Sequence, residues 1–139
     1  MKMIYKTACV LGSLFMANTL FAEIAVVVHP NNPATAASIN DIKRVFLGKA
    51  TEVRGVAVKP VEQSSGAVRD AFLKSVIQKT PSQYNAYWSK MVFSGKGAPS
   101  ESVADNAAAK KWVAQNKGAI GYIDKATVDG SVKVILSVP

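Results

Sequence analysis

The sequence predicts an α/β fold, a small mixed sheet flanked by helices, in one domain. Three observations carry that prediction. Apolar, β-branched runs alternate along the chain with segments of helical period. Two of the helical segments announce their starts with capping boxes. No internal repeat, low-complexity tract or linker divides the 139 residues, a length that suits a single core.

Taken in order, residues 1–22 read as a secretory signal peptide rather than as part of the fold. Lys2 and Lys6 give a basic start, "TACVLGSLFMANTLF" is too short for a membrane span, and Ala22 places a small residue before a cut at Glu23. The only cysteine, Cys9, leaves with this leader, so residues 23–139 form the domain without disulfide or thiolate support. The expected location is periplasmic or secreted, with no membrane span after cleavage.

"EIAVVVHPNNP" then reads as a strand stopped by prolines and asparagines. "SINDIKRVFLGK" reads as a helix capped by Ser38 with Asp41, carrying Ile39, Ile42, Val45 and Phe46 on one face and closed by Gly48. "VAVKPVEQ" reads as a second strand, edge or short because of Pro60. "SSGAVRDAFLKSVIQ" repeats Val68, Phe72, Leu73, Val76 and Ile77 at helical spacing. "TPSQYNAYWSKMVF" opens a third helix with Thr80, Pro81 and Gln83, and lines Tyr84, Tyr87, Trp88 and Met91 on one side. "SGKGAPSES" reads as a loop, and Asp105 to Asn116 as a helix ended by Gly118. "AIGYI" and "VKVILSV" read as strands joined by a turn at Asp129 and Gly130.

The formal net charge of +8, two of which belong to Lys2 and Lys6, favours anionic partners or simply keeps the chain soluble. Nucleic acid is excluded as the expected partner, because no basic run exceeds the pair Lys110, Lys111. Enzymatic chemistry finds no support. His29 is the sole histidine and has no metal-ligand spacing around it. No Gly-x-Ser-x-Gly or Ser-x-x-Lys motif activates a serine, and the acids are scattered. "GKGAP" lacks the spacing of a phosphate loop. No catalytic residue, metal or cofactor is expected. Trp88 and Trp112 are expected to pack helices on the sheet.

One stretch carries candidate chemistry. In "EQSSGAVRDAF" a strand ends and a helix begins at Ser64, Ser65 and Gly66, where unpaired amides and serine hydroxyls suit an oxyanion. The alternative is a plain serine N-cap. Arg69 falls inside the apolar arc of the same helix, so it must pair, snorkel or meet an anion. A carboxylate partner would be Glu62 or Asp41.

Several of these stretches fit one family. "AVVVHPNNP" leading to "VFLGK", then "VKPVEQSSGAVRDAF", "YWSKMVFSGKG" and "GAIGYI" together resemble the phosphate-binding proteins of ABC transporters. The resemblance implies a single lobe of the type II periplasmic binding protein-like fold, with phosphate or a similar oxyanion as ligand. An ABC permease or another envelope protein is the implied partner. The family motif has an arginine, three residues, then Ser-Gly-Thr; Ser65 and Gly66 match it, whereas Val61 and Ala67 replace the arginine and threonine. The first lobe has no room in this chain, so a protein-interaction module that kept the fold and lost the ligand is the alternative function.

Overall fold

The computed structural model describes residues 23–139; the expected signal peptide and its cut after Ala22 lie outside the described residues. A five-stranded sheet has the order β5-β4-β6-β1-β7, formed by β1 (Ile24–Val28), β4 (Lys59–Gln63), β5 (Glu101–Val103), β6 (Ala119–Asp124) and β7 (Lys133–Val138). β4 runs parallel to β5 and β6, while β1 is antiparallel to β6 and β7. The sheet is therefore mixed, as the sequence predicts. A separate two-residue pairing joins β2 (Glu52–Val53) to β3 (Val56–Ala57).

Every residue of β1 is buried, because helices cover both faces of the sheet. Ile24, Val26 and Val28 enter a core shared with α1 (Ile39–Phe46), α2 (Ala67–Phe72) and α3 (Pro81–Phe93). Ala25 and Val27 face the opposite way, into a smaller core under α4 (Asn106–Gln115). A strand with two apolar faces shows no alternation, which is why "IAVVV" reads as one unbroken run. Gly121 on β6 lets α4 approach closely: a Cβ there would stand 3.0 Å from both Val113 Cγ2 and Val61 Cγ1.

Local signals place the helices well. Ser38 and Asp41 form the expected capping box of α1, and Thr80 with Gln83 forms that of α3, with Pro81 in its first turn. Both helices end in Schellman geometry: Gly48 N–H donates to Val45 O and Lys49 to Arg44, then Gly95 to Val92 and Lys96 to Met91. Gly48 and Gly95 have φ of +70° and +71°, the left-handed conformation that this cap requires. Tyr84 is buried, and Tyr87 and Trp88 pack half-buried against the core.

Five expectations are corrected. Ile39 is 39% exposed, because α1 turns only Ile42, Val45 and Phe46 inward. β4 is not an edge strand, although it is short; Pro60 is accommodated because its β5 pairing begins only at Val61. β3 breaks away from β4 at Val58. The loop after α3 contains the start of β5 at Glu101, whose pairing with Val61 no local pattern announces. "AIGYI" and "VKVILSV" do not form a hairpin, since β1 inserts between β6 and β7 and the connection carries a 3-10 turn, Lys125–Thr127.

The second helical segment departs in a further way. α2 is six residues long and continues as a π-helical turn, Leu73–Ile77, that ends at Gln78 with φ of +61°. Leu73, Val76 and Ile77 are nonetheless all buried, packed beside α1. The stretch that carries the candidate site is thus short and closely joined to the core.

Candidate anion-binding site

The C-terminal end of β4 and the start of α2 meet at the Ser64 to Gly66 turn. Two neighbouring strands hold it. On the β6 side, Gln63 N–H donates to the Tyr122 hydroxyl at 3.1 Å and Gln63 Nε2 donates to Tyr122 O at 3.0 Å. On the β5 side, Ser64 N–H donates to Val103 O at 2.9 Å and its hydroxyl to Ala104 O at 3.3 Å. Ser64 is thereby occupied as a tether.

The serine cap is not the arrangement found. Gly66 is the N-cap residue, with φ of +109° and ψ of +173°, and no side chain caps the helix. A Cβ on Gly66 would meet nothing within 4 Å, so the need for glycine is conformational rather than steric. Ser65, Gly66 and Ala67 are exposed. The first amides of α2 consequently have no side-chain acceptor, a setting that suits an anion, although the exposed Asp70 carboxylate shares this first turn.

Arg69 lies one turn further along, 9% exposed. Its Nη2 donates to Asn85 Oδ1 on α3 at 3.1 Å, and its guanidinium sits 5.7 Å from the Tyr84 ring centroid. Neither expected carboxylate partner pairs with it. Asp41 is 3.3 Å from Arg54, and the Ser38 amide, with smaller help from the Ser38 hydroxyl and Arg54, holds its carboxyl below the usual value. Glu62 accepts from the Tyr84 hydroxyl at 2.7 Å. Among the described residues the ion pairs are Arg54 with Asp41, Lys110 with Asp129, and Lys125 with Glu23. The Arg69 charge is therefore buried, hydrogen-bonded to a neutral amide and lying over an aromatic face.

Sequence reasoning missed the polar groups around it. Burial pushes the Glu62 carboxyl up, opposed by the Tyr84 hydrogen bond and the nearby Arg69 charge. Burial also pushes the Tyr84 and Tyr122 phenols up, so both remain neutral donors or acceptors at any physiological pH. The Trp88 indole N–H lies beside the Tyr84 hydroxyl without meeting hydrogen-bond geometry, and is buried with no other acceptor. Tyr84 and Tyr122 read as core residues from periodicity alone, and that they are: Phe72 stacks on Tyr122 at 3.9 Å and 7°. Their hydroxyls are what periodicity does not report.

The turn is exposed rather than enclosed. Hollows of about 660, 610 and 540 Å³ are lined by residues other than Ser64, Ser65 and Gly66. Among the described residues no group of three metal-ligating side chains converges, and no helix is long and apolar enough to cross a membrane. His29 Nδ1 accepts from the Asn31 amide at 3.0 Å, a local turn contact.

Comparison with known proteins yields structural neighbours only. No protein-family model matches the chain, and no curated protein matches it. A Clostridium perfringens structure described as a phosphate ABC transporter substrate-binding protein with bound phosphate is similar at TM-score 0.64 and 26% identity, over 83% of this chain and 45% of that one. An ABC-type phosphate transport receptor from Vibrio cholerae is similar at 0.59 and 23%, over 83% and 47%. PstS from Borrelia burgdorferi is similar in fold at 0.55 and 13%, over 82% and 47%. The present chain spans about half the length of the solved structures it matches. Its mixed sheet flanked by helices is thus the fold of about half of a phosphate ABC transporter substrate-binding protein.

Proposed function

We propose that this chain is an exported binding protein, periplasmic or secreted, that takes phosphate or another oxyanion weakly at the start of α2. The observation that carries the reading is Arg69, buried without an ion pair one turn beyond a helix start that no side chain caps. The amides of Ala67 and Val68 and the Ser65 hydroxyl supply donors, Gly66 permits close approach, and Arg69 supplies charge. Ser64 positions the turn through β5. Binding is weak because the turn is exposed and because Val61 and Ala67 lack donor side chains. The role is binding rather than catalysis, and an ABC permease is the natural partner if the ligand is passed on.

Isothermal titration of the mature chain with phosphate and with sulfate tests this. Heat that saturates in the millimolar range and disappears in Arg69→Met supports it. Absence of heat at millimolar ligand, with folding verified by circular dichroism, overturns it.

A second reading, docking onto another envelope protein, is favoured by Val61 and Ala67, which stand where an anion-binding loop would need donor side chains. Crosslinking in the native envelope separates the two, since a carrier binds anion alone whereas a docking module holds a protein partner.

A further inference from the structure

α3 presents two stripes. Tyr84, Tyr87 and Trp88 face the core, and the two tyrosine hydroxyls are satisfied there: that of Tyr84 contacts Phe46 O at 3.0 Å and that of Tyr87 donates to Leu47 O at 2.7 Å. The adjoining stripe of Asn85, Ser89, Val92 and Phe93 follows the i, i+4, i+7, i+8 spacing of one helix face. Asn85 accepts from Arg69, and Ser89, Val92 and Phe93 lie outside the hydrophobic core. Phe93 is 96% exposed and Val92 46% exposed, whereas the other large apolar side chain left open, Ile39, stands alone on α1.

Single exposed apolar residues are ordinary, but a contiguous group with shape is not. Here Val92, Phe93 and Pro99 close around an open hollow of about 540 Å³ floored by Trp88, Ser89 and Asn85. The Schellman cap at Gly95 and Lys96 fixes the end of α3, so Phe93 is held in place on a rigid helix terminus. A rigid, shallow apolar face of this kind takes an apolar side chain at low ordering cost.

We infer that this face docks an acidic protein segment that inserts one apolar side chain between Phe93, Val92 and Pro99. Charge chooses the partner. From Thr80 to Ser100 the chain contains no acidic residue, and Lys90 and Lys96, close to Val92 and Phe93 in the chain, are exposed; the first acid beyond is Glu101, which lines the neighbouring hollow with Trp88 and Pro99. A second copy of this chain in a symmetric contact would set those lysines against their own images. A bilayer surface would want more apolar area than the single Val92, Phe93 and Pro99 group offers. An acidic segment satisfies both, carboxylates to the lysines and an apolar anchor to the pocket. This gives the docking reading a surface and a chemistry; the anion reading rests on α2, and the two meet only at Asn85, which lines the hollow and accepts from Arg69.

The test uses the mature chain against phage-displayed random dodecapeptides. The expected result is enrichment of peptides with Asp or Glu around a Leu, Phe or Met. A synthetic peptide from that set should shift the nuclear magnetic resonance signals of residues 88–99 and of the Trp88 indole, and should lose about tenfold in affinity to Phe93→Ser. Lys90→Glu with Lys96→Glu should abolish the acidic preference, and phosphate heats should be unchanged in all three substitutions. No enrichment, enrichment of basic or uncharged peptides, or shifts mapping to another face overturns the proposal. So does a dimer in sedimentation equilibrium, or binding to phosphatidylglycerol vesicles, that Phe93→Ser removes. If peptides bind elsewhere, this surface fails while docking as a function stands.

Discussion

The Tyr84 hydroxyl meets the Glu62 carboxylate at 2.7 Å, joining α3 to the end of β4 beneath the exposed serine turn. Tyr84 is 1% exposed and Glu62 is half-buried, so the bond keeps a carboxylate satisfied where water is scarce. Glu62 forms no salt bridge with Arg69, although the Arg69 charge lies near enough to act on its carboxyl.

Tyr84→Phe should therefore destabilise the protein by about 1–3 kcal/mol, the range for stranding a buried hydrogen-bonding group. Urea unfolding at neutral pH reads the loss. Paired with Glu62→Gln, the two changes should be non-additive, because the second substitution removes the charge that the first leaves uncompensated.

The pH dependence follows from Glu62. Burial raises its folded-state value above the ordinary 4.5, so protonated Glu62 is favoured by folding. The contribution is fully present below 4.5 and is lost as pH rises through the raised folded value. Relative to wild type, Glu62→Gln should gain stability as pH rises across that window and then stay level. Parallel urea midpoints from acid to neutral pH check it; parallel curves for the two proteins would contradict it.

Gly121→Ala should cost about 1–3 kcal/mol, because its Cβ would stand 3.0 Å from Val113 and Val61 and overpack the α4 face. Val113→Ala in the same chain should restore part of the loss, since it vacates one of the two contacts. Thermal melts of the single and double variants read both effects.

Gly66→Ala should cost about 1–3 kcal/mol with no steric clash, since φ of +109° is strained for a side-chain-bearing residue while the space is open. The strain is relieved if the turn rearranges. Any anion affinity should then fall with the stability, as read by titration calorimetry beside the melt.

Much of the architecture was legible in the chain. Both capping boxes, the Gly48 closure, the helix spans of α1, α3 and α4, and the strands at Ile24, Ala119 and Lys133 depend on residues within a few positions of one another. What misled was position in the sheet. "AIGYI" and "VKVILSV" look like a hairpin because they are adjacent in sequence, yet β1, which precedes them by some ninety residues, lies between them. β5 is three residues long and exists by pairing with β4.

The candidate site divides in the same way. Ser64, Ser65, Gly66 and the inward position of Arg69 follow from strand end, helix start and apolar period. The tie of Ser64 to β5, the donation of Arg69 to Asn85 and the capture of Glu62 by Tyr84 join residues 16 to 40 positions apart. By itself, the sequence determined the local geometry, since caps, turns and amphipathic faces are set by neighbours along the chain. Only the tertiary structure decided where each buried polar group found its partner, because desolvation forces that choice only once distant elements have packed.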